Sequence, residues 1–168
     1  MSKLPAGWFP IPWAVSTEEA PGLAKALLAE SGTVPLAGAD VDVMVAALAS
    51  AMARLPVTES IGARLWHGFG PSATGMIADL AVERRPPSSL DQAIGAGFPH
   101  VDLQRRVRHE DGTLATLAVV MHETSSEPAF LLRVQSPEAG AVRIVDVFHP
   151  DLRAIGVVWE DVAAIARG

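Results

Sequence analysis

The 168-residue chain has no cysteine and no tyrosine. Without cysteine there is no disulfide, no thiolate nucleophile and no cysteine-ligated zinc. Aromatic residues make up only 5% of the chain, and they gather at its start (Trp8, Phe9, Trp13) and not among the arginines. Single-strand nucleic-acid binders interleave stacking rings with cations, and that pattern is missing. Positive charge is also scarce: thirteen Lys and Arg stand against nineteen Asp and Glu, for a net charge of −6. A general grip on a phosphate backbone needs the opposite balance. No apolar run approaches the roughly 20 residues that span a bilayer. Lys3 followed by Leu4–Val15 imitates a secretory leader, but Pro5, Pro10 and Pro12 break any continuous helix there. The expectation is an extended segment of the mature protein, in the cytoplasm and off the membrane.

Catalytic signatures are equally sparse. Ser60, Ser72, Ser125 and Ser126 sit in no Gly-x-Ser-x-Gly elbow. The glycine-rich stretch Gly68–Gly75 lacks the Lys-Ser/Thr ending of a phosphate-binding loop and reads as a turn. No two of the five histidines have helical metal-ligand spacing, and His122-Glu123 lacks the second histidine of a zinc-protease motif. The acid pairs Glu18-Glu19 and Glu160-Asp161 fall at helix starts, where the helix dipole accounts for them. The expectation is therefore no catalytic residue, no metal and no cofactor.

What is present is a folding composition, with 49% apolar residues and 19% charged. The length fits one domain over 1–168, with 1–15 as a Pro/Trp-rich arm. Ser16 and Glu19 have capping-box spacing ahead of a helix ending near Ser31. A second helix, 41–55, repeats Val43, Met44, Ala47, Leu48, Ala51 and Met52 at helical intervals, with Asp40 as its cap. Ser89 and Gln92 suggest a short helix over 88–98. Strand patterns cover 61–70 and 74–84, then 101–109, 113–124, 128–135 and 141–148. The last four are joined by short loops, one of them Asp111-Gly112, a strong hairpin signal. A closing helix is expected over 159–167. Without repeated βαβ units, the fold class is α+β. A single antiparallel sheet of about five to seven strands is expected, with a C-terminal meander. Two N-terminal helices and one inserted short helix pack on it.

Two groups of residues are candidates for function. The first is the arm, where Trp8, Phe9 and Trp13 either pack across the domain or dock on a partner protein or a second copy. The second is Arg105, His109 and His122, which strand alternation brings toward one region. There Arg105 either pairs with Asp146 inside the fold or serves an anion-binding pocket between sheet and helices. The absence of catalytic signatures favours a non-catalytic protein-interaction domain (an adaptor, accessory subunit or inhibitor-like partner). The alternative is a small-molecule-binding protein or enzyme using that pocket.

The opening Leu4-Pro-Ala-Gly-Trp8, the Pro-rich residues after it and the hairpin leading into Leu131–Phe148 resemble a group of small actinobacterial proteins with a PsbP-like α+β architecture. Eleven Arg against two Lys, with abundant Ala, suit a GC-rich genome. The resemblance implies a fold, an antiparallel sheet flanked by helices, and carries over no functional residue.

Overall fold

The computed structural model describes residues 4–30, 41–55, 61–68, 75–84, 100–121 and 128–168. Asp40, His122, the glycine-rich loop 69–74 and the helix expected over 88–98 lie outside them.

Among the described residues, seven strands form one sheet: β1 (Trp8–Ile11), β2 (Ile61–His67), β3 (Met76–Glu83), β4 (His100–Arg108), β5 (Leu114–Met121), β6 (Ala129–Glu138) and β7 (Ala141–His149). Every neighbouring pair is antiparallel, in the order β1-β2-β3-β7-β6-β5-β4. Among the described residues, three helices accompany it: α1 (Ala20–Glu30), α2 (Val41–Ala53) and α3 (Leu152–Arg167). The α+β class and the C-terminal meander expected from the sequence are both present, and the N-terminal arm supplies the seventh strand.

The meander follows from its turns. Gly112 takes φ +85° after Asp111, a conformation that favours glycine, and the Thr113 N–H donates to the Asp111 carboxylate at 2.8 Å. That backbone donor, with Arg167 at 2.7 Å, holds the Asp111 carboxyl below its ordinary range. The Arg167 contact ties the β4–β5 turn to the last turn of α3. The sixth strand runs further than expected, through Glu138, because only Ala139 and Gly140 are needed to turn into β7.

Each face of the sheet has its own cover. On one face, Ile155, Val158, Val162, Ile165 and Ala166 of α3 pack on Leu132, Val134, Val145 and Val147, with Leu65, Met76 and Trp8 beside them. The third helix begins at Leu152, earlier than expected. Asp151 caps it by accepting the Arg153 N–H at 2.9 Å, and the apolar stripe outweighs the poor helix propensity of Gly156 and the β-branched residues near it. On the other face, α1 and α2 pack together over Phe9, Ile11, Trp66 and Ile77. The capping box expected before α1 is formed: the Glu19 N–H donates to the Ser16 hydroxyl, and that hydroxyl donates to the Glu19 carboxylate. Trp66 is fully buried, and its ring passes so close to Gly75 that a Cβ there would lie 1.9 Å from Nε1.

The α1–α2 face of β2 also carries charge. Arg64, 1% exposed, forks onto Asp79 of β3 with Nε–Oδ1 2.6 Å and Nη2–Oδ2 2.7 Å. Its Nη1 donates to the carbonyls of Ala51, at 3.0 Å, and of Arg54. One buried guanidinium thus satisfies carbonyls at the end of α2 and fastens that helix to the sheet.

Candidate functional site

The aromatic arm is built into the molecule. Trp8 is buried against α3, its Nε1–H donating to Asp161 at 3.2 Å, and its ring lies 5.1 Å from that of His67. Burial lowers the His67 imidazole below its ordinary range, and Asp161 acts in the opposite sense. Phe9 is half-buried with its ring edge-on to Trp66 at 5.3 Å. Trp13 lies beyond the strand and is half-buried. The chain then turns through Ala14, at φ 57°, and the Val15 N–H donates to the Met52 carbonyl. Of the two arrangements expected for the arm, the structure shows packing across the domain.

Of the second group of candidates, Arg105 and His109 lie among the described residues and His122 does not. Arg105 is exposed on the α3 side, its guanidinium 5.8 Å from the Trp159 ring centroid. His109 follows β4 at the hairpin, with its backbone N–H on the Thr113 carbonyl at 2.8 Å. The Arg105–Asp146 pair considered from the sequence is not formed. The fourth and seventh strands are separated by β5 and β6, a gap of about 14 Å at ordinary strand spacing. A bulge between Leu103 and Arg105 also breaks the simple alternation, so these two residues take opposite faces. Asp146 pairs instead with Arg133 on adjacent β6, at 2.7 and 2.6 Å. Burial opposes the Arg133 charge, and Asp146 outweighs it, so the guanidinium is held above its ordinary range.

Arg64, Asp79 and Arg133 were not singled out from the sequence. Their signal was there: each is a charge flanked by apolar residues inside a strand, and a buried charge needs a partner. Among the described residues, no group of His, Asp and Glu is arranged to hold a metal ion. No described helix is long and apolar enough to cross a membrane.

The outer surface of the helix pair has a different character. In α2 only Asp42 and Ser50 are polar. Its inner side buries Met44, Val45, Leu48 and Met52, with Val41 (51% exposed) at the open start of that stripe, and its outer side presents Val43 (46%) and Ala46 beside Asp42 and Ser50. Leu55, just past its end, is 72% exposed, and Leu23 of α1 is 38% exposed. A shallow recess of ≈ 490 Å³ lies between the start of α1 and the end of α2, lined by Thr17, Ala20, Ala49, Ser50, Ala53 and Arg54. A helix in a soluble domain ordinarily turns polar groups outward, so a helix apolar on both sides is built for contact on both.

The sheet edges are guarded. The edge strand β1 has four residues and includes Pro10, which has no N–H to offer, and Pro12 follows it. The opposite edge, β4, is bulged and carries Arg105, Arg106 and Arg108.

The chain matches no protein-family model, and no curated protein matches it.

Proposed function

We propose that this protein is a non-catalytic protein-interaction domain whose contact surface is the outer side of the α1–α2 pair. The observation that carries this reading is the outer side of α2, where Val43 and Ala46 are exposed on a helix already buried along its inner side, with Val41 exposed at its start. The guarded edges support it, since they disfavour recruitment by strand addition. So does the Arg64 clamp, which holds α2 rigidly and lowers the ordering cost of an interface. The partner is another protein that brings its own apolar face to this surface. Trp8 and Phe9 act indirectly, by seating β1 beneath the helices.

The test is a pair of surface variants, Val43→Asp and Val41→Asp, read by affinity capture from the native host and by light scattering of the purified protein. Each substitution leaves the core intact. A stoichiometric partner that falls at least about tenfold in recovery with Val43→Asp is the expected result, since a charge buried at an interface costs more than 1.4 kcal/mol, or tenfold. Unchanged recovery in both variants would remove this surface from consideration.

A further inference from the structure

The end of α2 differs from its start. Leu55 follows the helix and is 72% exposed. Arg54, next to it, is also exposed and lines the recess between the start of α1 and the end of α2. The Arg54 carbonyl accepts from Arg64, so this end of the helix is fixed to the sheet while the residue itself stays at the surface. The other lining residues are small: Ala20, Ala49 and Ala53, with Thr17 and Ser50. The recess, of ≈ 490 Å³, is thus a hole walled by short side chains, and a large aliphatic side chain projects beside it.

Charge is divided in the same way. Arg54 stands on the α2 side of the recess. On the α1 side, the turn that carries Thr17 continues into Glu18 and Glu19, both exposed. Glu19 is engaged with the Ser16 hydroxyl, which leaves Glu18 as the acid at that rim. One surface therefore holds a knob and a hole, and a cation and an anion. Recognition of an unrelated protein requires only one member of each pair on this side. A two-fold contact requires both, because each patch must be its own complement.

We propose that the recess is a self-association site whose occupant is a second copy of this chain. In the two-fold dimer, Leu55 of each copy enters the recess of the other, against Ala49 and Ala53, and Arg54 of each copy faces Glu18 of the other. The short side chains let the two helix ends approach closely. The two charge pairs fix the register and oppose the repulsion between copies that each carry a net charge of −6. This inference goes beyond the interaction reading. Val43 lies about 10 Å back along the helix from Ser50, at the ordinary rise per residue, so the start of α2 is left to the other protein.

The test is sedimentation of the full-length protein over a dilution series. The expected result is a reversible rise in mass from 17.6 kDa toward twice that value. Leu55→Asp, Arg54→Glu and Glu18→Lys are each expected to weaken the dimer tenfold or more, and Val43→Asp to leave it unchanged. The double variant Arg54→Glu/Glu18→Lys restores the opposite charges and is expected to recover most of the loss. All these positions are exposed, and the double variant also controls for any damage to the fold. A parent that stays monomeric up to about 1 mM overturns the proposal. So does a dimer indifferent to these substitutions, or a double variant no better than the singles. A monomeric parent whose Leu55→Asp variant loses a host protein assigns the recess to that protein instead. The two readings fail separately: a monomer that still captures a partner through Val43 sinks only the dimer, and a dimer with no Val43-dependent partner sinks only the interaction reading.

Discussion

Single side chains bind the layers of this protein together. Arg64 is the strongest case, since its guanidinium reaches both a carboxylate on β3 and carbonyls at the end of α2. Arg64→Met leaves Asp79 unpaired at 13% side-chain exposure and frees those carbonyls. A loss of about 3–5 kcal/mol is expected, as for other broken buried pairs. The double variant Arg64→Met/Asp79→Leu removes the stranded charge and recovers part of that loss. Urea denaturation of the two variants measures both effects, and equal stability in the two would show that Asp79 carries no penalty when left alone. His67 supplies a pH dependence at the same scale. Burial depresses its folded-state titration below the ordinary value of 6.5, although Asp161 partly offsets this. The unfolded chain therefore binds the proton first as the solution is acidified. Stability is complete above that value and declines as pH falls through it, down to the folded-state pKa. Urea midpoints at pH 7.5 and 5.5 are expected to differ in that direction, with a smaller difference in His67→Gln.

The secondary-structure elements show how local preference gives way to packing. The capping contacts expected between Ser16 and Glu19 form, because they need nothing from elsewhere, while the helix itself begins at Ala20. The third helix does not start where its sequence suggests, because Ile155 and Val158 read equally well as strand until a sheet face is available to receive them. The fourth strand shows the same dependence. Its bulge turns Arg105 toward Trp159 and the α3 side, and strict alternation cannot reveal a bulge. That edge is also a test of the guarding argument. Arg105→Thr, Arg106→Thr and Arg108→Thr together give a long edge strand without its arginines, with Asp102 as the remaining carboxylate. The triple variant is expected to associate through it, seen as a rise in scattered light at concentrations where the parent is clear. A triple variant as clear as the parent would show that the arginines do not protect the edge.

At the scale of the whole molecule, two covers share one sheet. The α3 cover lies over the centre of one face, and the α1–α2 cover lies over the β1–β3 end of the other. The outer side of α2 projects away from the sheet. Much of this architecture was legible in the sequence. Alternating residues, turn glycines and helical spacing are local, and they led to the α+β class, the meander and the two N-terminal helices. The composition also limited the chemistry, since a chain without cysteine has no thiol to use and a net charge of −6 is a poor match for phosphate. The candidate surfaces were much less legible. Exposure on α2 depends on which side of the helix the sheet occupies, and a sequence apolar on both sides does not say. The partner of Asp146 depends on strand order, which places β6 and not β4 beside β7. The fate of Trp8 depends on an antiparallel pairing across more than fifty residues. Local preference is written residue by residue, but strand order, facing and burial arise only when distant segments meet. That is why Thr116 and Gln135 read as ordinary strand residues until the sheet buries both on one face.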